Sequence, residues 1–204
     1  MLPIYIPNPE ELIKDDTWKS SHLDQYLATL KIEDACTEEY QKNYTAYYNL
    51  RRDKVWLMYY YDFLFLNKNN KTLTFEDVIE YLLKVPAKTP FSSKNPNGLR
   101  YGLECSFGSK LLHTIDPNFP IWDSRVRSAL LIPESDASWP MKDRVRYSND
   151  TYKELTANIH NFINSEQGQY CIKVFNNKFP EYKDINNVKK IDYYLFTIGR
   201  DKNR

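Results

Sequence analysis

The chain has 204 residues, a formal net charge of +1, 42% hydrophobic and 27% charged residues, and only 5 glycines. That length suits one medium-sized domain; the composition excludes disorder, and scarce glycine argues against a turn-rich barrel or sandwich and for helices. Near-neutral charge means that any contact with phosphates has to come from a local patch.

Residues 1–19 are expected to run extended as a surface strap, because Pro3, Pro7 and Pro9 each bias the preceding residue away from helix. Ser20 or Ser21 caps a first helix with Leu23, Tyr26, Leu27 and Leu30 at i, i+3, i+4 and i+7. Thr37 opens a long helical segment, with Glu38 and Glu39 in its first turn, that reaches about Leu66 with one break. Its later half is apolar on almost every face, as in a central helix. The tyrosines there suit a base-stacking platform, but they fit better a core helix whose phenols reach the solvent edge. Thr74 and Asp77 resemble a capping box for a helix through about Lys84. Residues 85–102, with three prolines and two glycines, are expected to form a long surface loop.

After a central stretch treated below, Pro133–Met141 reads as a loop, followed by Lys142, Arg144 and Arg146 and a helix starting at Ser148 or Asp150. A short helix near Gln167–Phe175 and a last one over Val188–Ile198, with Gly199 as C-cap, complete the chain. The expectation is therefore an all-α, multi-helix globular domain spanning 1–204, with little or no β-sheet.

Cys36, Cys105 and Cys171 are odd in number and have no CxxC spacing, and His22, His113 and His160 are dispersed, so neither a metal nor a cofactor is expected. MLPIYIPNPEELIK lacks a basic region followed by a long apolar one, and the apolar run near Val55–Leu66 is broken by Asp62 and too short to span a bilayer. The expected setting is cytoplasmic, with reduced thiols, no membrane contact and a monomer as the default state.

Breakers, charges and apolar spacing are densest over 105–130, CSFGSKLLHTIDPNFPIWDSRVRSAL. Ser106 and Gly108 bracket Phe107 in an expected small-residue turn, where glycine allows a positive φ or a close backbone approach. Ser106 or Ser109 then caps a helix from Lys110 to about Ile115, which Pro117 and Pro120 end. Asp123 falls at the head of the next helix, where a carboxylate bonds free amides whatever else it does. Lys110 and Asp123 fit a solvated helix lysine and a helix cap, and equally a pair facing one cleft. His113 reads as a half-buried helix histidine.

CSFGSK followed by FPIWDSRV resembles the helix-hairpin-helix DNA glycosylase superfamily, and is similar to uncharacterised bacterial proteins with a SKLLH…FPIWDS pattern. In the superfamily a Pro-Gly-Val-Gly-x-Lys-like hairpin precedes a helix, and a Val-Asp-Thr-His-Val-like segment supplies the essential aspartate. The resemblance puts Gly108 on the second hairpin glycine, Lys110 on the lysine that attacks the sugar in bifunctional members, and Asp123-Ser124-Arg125-Val126 on Asp-Thr-His-Val. Ser106 stands for the first glycine, Cys105 for the usual proline, and the separation of 123 − 110 = 13 residues is shorter than is usual in the family.

What the resemblance implies is base excision from a nucleotide flipped out of DNA, with Asp123 and Lys110 catalytic and Trp122, Phe107 and Tyr101 forming the aromatic pocket. Ser106, Gly108 and Ser109 would hold phosphate through hairpin amides, with Arg125, Arg127, Arg144 and Arg146 on the remaining backbone. The competing expectations are a non-catalytic helical module that binds nucleic acid through the same hairpin, and a protein-interaction or structural domain.

Overall fold

Caps and breakers set where each helix starts and stops. The computed structural model describes residues 3–14, 19–88 and 98–202. Its α-helices are α1 (Pro9–Lys14), α2 (Ser20–Thr29), α3 (Glu38–Tyr48), α4 (Lys54–Asn67), α5 (Phe75–Leu82), α6 (Cys105–Ile115), α7 (Ser124–Leu130), α8 (Met141–Ile163), α9 (Glu166–Lys178) and α10 (Asn187–Asp201). Strands β1 (Ala87–Lys88) and β2 (Leu99–Arg100) pair antiparallel, Ala87 opposite Arg100. The protein is thus an all-α domain, and no helix among the described residues is long and apolar enough to cross a membrane.

The break expected between Thr37 and Leu66 falls at Asn49, which takes a left-handed conformation (φ 52°) and ends α3; Asp53 then accepts from the Val55 and Trp56 amides to start α4. Thr74 and Asp77 form the reciprocal capping box their spacing predicts. Tyr40, Tyr44, Tyr60 and Tyr61 of α3 and α4 are core residues whose hydroxyls are satisfied internally, whereas the buried Tyr48 hydroxyl has no partner among the described residues and Tyr59 is exposed. Tyr40 donates to the Thr29 carbonyl, Tyr60 to that of Phe107, and Tyr44 is hydrogen-bonded to Tyr60 and Thr114.

Several boundaries differ from the sequence reading. Within the expected strap, Asn8 turns the chain (φ 43°) and Pro9, a favoured first helical residue, starts α1, which packs on α9 and α10. Residues 1–2 and 15–18 of that strap, and 89–97 of the expected loop, lie outside the described residues. Helix α6 starts at Cys105 instead of Lys110, so Ser106, Phe107 and Gly108 form its first turns, and the Gly108 amide donates to the Glu104 carbonyl at 2.8 Å. No small-residue hairpin precedes Lys110. Gly108 serves close packing: a Cβ there would come within 2.8 Å of Ile79 Cδ1 on α5.

Helix α8 starts at Met141, so Lys142, Arg144 and Arg146 lie on its first turns, and α9 runs through to Lys178. Gly199, expected as a cap, lies inside α10, where a Cβ would fall 1.9 Å from the Arg125 carbonyl oxygen. A missing side chain therefore lets α10 touch the backbone of α7.

Candidate active site

Asp123 is the N-cap of α7. Its Oδ1 accepts from the Arg125 and Val126 amides at 2.9 and 3.0 Å, which leaves Oδ2 with no further partner among the described residues. The loop leading to it is fixed by side chains from two helices. His113 Nδ1 donates to the Phe119 carbonyl at 2.6 Å, Tyr152 to that of Pro120 at 2.7 Å, and the Trp122 amide donates to Ser109 Oγ at 2.9 Å. A carboxylate so held is preorganised for whatever it meets.

What it meets is a cleft of about 280 Å³, with Asp123, Trp122, Glu104, Ser106, Arg127 and Arg144 in its walls. Trp122 is 4% exposed, lies beside the stacked Phe75–Tyr152 pair, and its indole N–H has no hydrogen-bond partner among the described residues. Arg127 pairs with Glu134 at 2.6 Å, Arg144 Nε donates to Ser135 Oγ at 3.3 Å, and Arg52 grips both oxygens of Glu104 at 2.6 and 2.5 Å. Cys105 also lines the cleft, and burial pushes its thiol up to about 11, so it stays protonated near neutrality.

Behind Asp123 the core carries charge. Lys110 is 8% exposed, and its Nζ donates to the Tyr48 carbonyl at 3.2 Å, at the C-terminal end of α3 where orphan carbonyls and the helix dipole favour a cation. Burial lowers the Lys110 pKa, while Asp123 and Asp192 push it back up without either forming an ion pair with it. Deeper still, Lys189 meets Asp192 at 2.5 Å, with the rings of Tyr26, Tyr47 and Tyr193 4.8–5.6 Å from its ammonium. Burial raises Asp192; for Lys189 the nearby carboxylate and phenols outweigh burial and keep it charged.

His113 is fully buried, and burial together with the Lys189 charge depresses it to about 3. It is therefore neutral, with its proton on Nδ1 toward Phe119 and Nε2 accepting from the Tyr26 hydroxyl at 3.0 Å.

The expected site residues separate into groups. Asp123, Trp122, Ser106, Arg127 and Arg144 share the cleft; Lys110 lies near Asp123 electrostatically but does not line it. Phe107 is covered by the Arg52 guanidinium at 4.8 Å, and Tyr101 is exposed outside the cleft. Gly108 and Ser109 are buried in α6, so the expected phosphate-holding hairpin amides are absent there. Arg125 lines a neighbouring groove that shares Ser124 and Arg127 with this cleft, and Arg146 pairs with Asp143 on the surface of α8.

Glu104, Ser148, Lys189 and Asp192 escaped the sequence reading. The last two had a signal, since Lys189 and Asp192 interrupt the apolar face set by Val188, Ile191 and Leu195. Among the described residues, no group of three or more His, Cys, Asp or Glu side chains is placed to hold a metal ion. Comparison with family models, curated proteins and solved structures returns no match for this chain.

Proposed function

We propose that the protein hydrolyses the N-glycosidic bond of a nucleotide swung out of DNA into the cleft beside Asp123. One observation carries this reading: the Asp123 carboxylate commits one oxygen to the α7 amides and keeps the other without a partner among the described residues, on a braced loop in the wall of a nucleobase-sized cleft. In the reaction the C1′–N bond breaks as water oxygen bonds to C1′. The Asp123 carboxylate stabilises the positive charge that develops on the sugar and takes the proton lost by the water, while the departing base is protonated from solvent. Trp122 offers an aromatic wall to the base.

In this reading Lys110 acts as a buried cation behind Asp123 instead of attacking the sugar, because its ammonium is engaged by the Tyr48 carbonyl and stands outside the cleft walls. The test is base release from a panel of damaged duplexes. The wild-type protein is expected to free a base from at least one lesion, Asp123→Asn to slow release by about 100-fold or more, and borohydride to trap no protein–DNA adduct. A wild-type protein that frees no base from any duplex defeats the reading, and a trapped adduct would return Lys110 to the role of nucleophile.

A further inference from the structure

The sequence of α4, KVWLMYYYDFLFLN, is apolar on nearly every side, as suits a helix buried all round. The fold covers only part of it. Trp56, Tyr60, Tyr61 and Leu64 are buried, while Val55, Met58, Tyr59 and Leu66 are 40%, 51%, 41% and 79% exposed. With 3.6 residues per turn, these four and the exposed Lys54 and Asp62 lie within one arc of about 140°. Phe65 shares the arc, half-buried with the Lys68 ammonium over its ring at 4.2 Å. No other described helix exposes more than one large apolar side chain, so the outward face of α4 is a patch and not scatter.

Two charges interrupt this face. Lys54 opens the helix, and Asp62 stands within the stripe, about 12 Å further on at 1.5 Å per residue. Neither forms an ion pair or a side-chain hydrogen bond among the described residues. Whatever covers the stripe has to answer Asp62 with a cation, because a carboxylate taken out of water unpaired is costly. A second α4 supplies that cation. Laid antiparallel about a two-fold axis at Met58, which lies midway between Lys54 and Asp62, each helix brings its lysine opposite the other's aspartate. A parallel pairing in register would instead oppose like charges.

We propose that α4 is the contact between two copies of this chain, packed as an isologous antiparallel pair. Val55, Met58 and Tyr59 fill the space between the helices, and two Lys54–Asp62 pairs fix their direction. The inference is independent of the excision reading, since α4 contributes no wall to the Asp123 cleft. One pair of crossing helices sits near the lower end of specific interfaces, about 1,200 Å² in all, so the dimer should be reversible.

Sedimentation velocity of the full chain over roughly 5–500 μM should show the mass rising from 24.4 kDa toward twice that value. Met58→Glu, which sets two like charges at the axis, should hold the protein monomeric throughout. Lys54→Glu and Asp62→Lys each oppose like charges across the contact, and each alone should weaken the dimer about tenfold. Mixed in equal amounts, these two variants face each other with unlike charges at both ends and should regain the wild-type affinity as a heterodimer. Recovery on mixing separates a lost contact from a lost fold, because a misfolded chain gains nothing from a second one. A wild type that stays at 24.4 kDa, a dimer indifferent to Met58→Glu, or a mixture no tighter than its parts would overturn the proposal. In the first case, binding to phosphatidylcholine vesicles would assign the face to a lipid surface instead.

Discussion

Two aspartates begin helices in the same way and end in different surroundings. Asp53 on α4 and Asp123 on α7 each accept two amides of the first turn through Oδ1. At Asp53 the second oxygen also accepts a backbone amide, from Lys88 at 2.8 Å, so the carboxylate ties the β1 strand to the helix and is fully used. At Asp123 the second oxygen is left over, facing a cleft in front and the charges of Lys110, Lys189 and Asp192 behind. The difference teaches that a helix cap is a site candidate only when its capping duty leaves an oxygen unspent.

The contrast breaks most visibly through the charges behind Asp123. Asp192→Ala leaves Lys189 buried without its carboxylate and should cost about 3–5 kcal/mol, measured by urea unfolding. A loss under about 1 kcal/mol would mean that water or a shift of α10 compensates for the missing partner.

Acid should separate the two regions next. His113 is neutral in the fold at about 3 against an ordinary value near 6.5, so the unfolded chain binds a proton that the folded one does not. Its contribution is present above pH 6.5 and is lost as the pH falls through the range down to 3, amounting to about 2 kcal/mol by pH 5. At Asp53 burial pushes the pKa up, but the amides of Lys88, Trp56 and Val55 outweigh it and hold the carboxyl below its ordinary value. That contribution is lost only as the pH falls below about 4. Stability measured from pH 7 to 4 should therefore fall in the wild type and flatten in His113→Gln, while Asp53→Asn keeps the wild-type slope; an unchanged slope in His113→Gln would refute the assignment.

The smallest effect compares the caps themselves. Asp53→Ala loses three backbone partners and should cost about 2 kcal/mol, against about 1 kcal/mol for Asp123→Ala, which loses two. Chemical denaturation of the two variants side by side checks the order, and a larger loss at Asp123 would show that its second oxygen also serves the fold.

Much of the helical frame was legible because it rests on local rules. Thr37 and Thr74 accept amides at helix starts as short polar side chains do, and Asp123 was readable as a cap on the same ground; Asp53, Ser165 and Asn186 obey the same rule but were not picked out. What escaped depends on contacts distant in sequence. Gly108 and Gly199 look like turn residues in a one-dimensional reading, yet each makes room for another element, Ile79 for the first and the Arg125 backbone for the second. The placement of Lys110 was unreadable because its partner is a carbonyl 62 residues away, at the end of α3. The cleft walls come from α6, α7, α8 and the loops between them, and no spacing in the sequence announces that Glu104 and Ser148 meet there.

The approach of α10 to α7 at Gly199 has a consequence for the order in which the protein is made. Helix α10 follows the other described helices in sequence, yet it supplies the Lys189–Asp192 pair behind Asp123 and packs on the backbone of the helix that Asp123 caps. Helix α1 also packs on α10, so it waits for a helix far downstream in the chain before it can settle. During synthesis the Asp123 loop therefore emerges from the ribosome well before its support exists, and the cleft takes its final form only after α10 has followed it out.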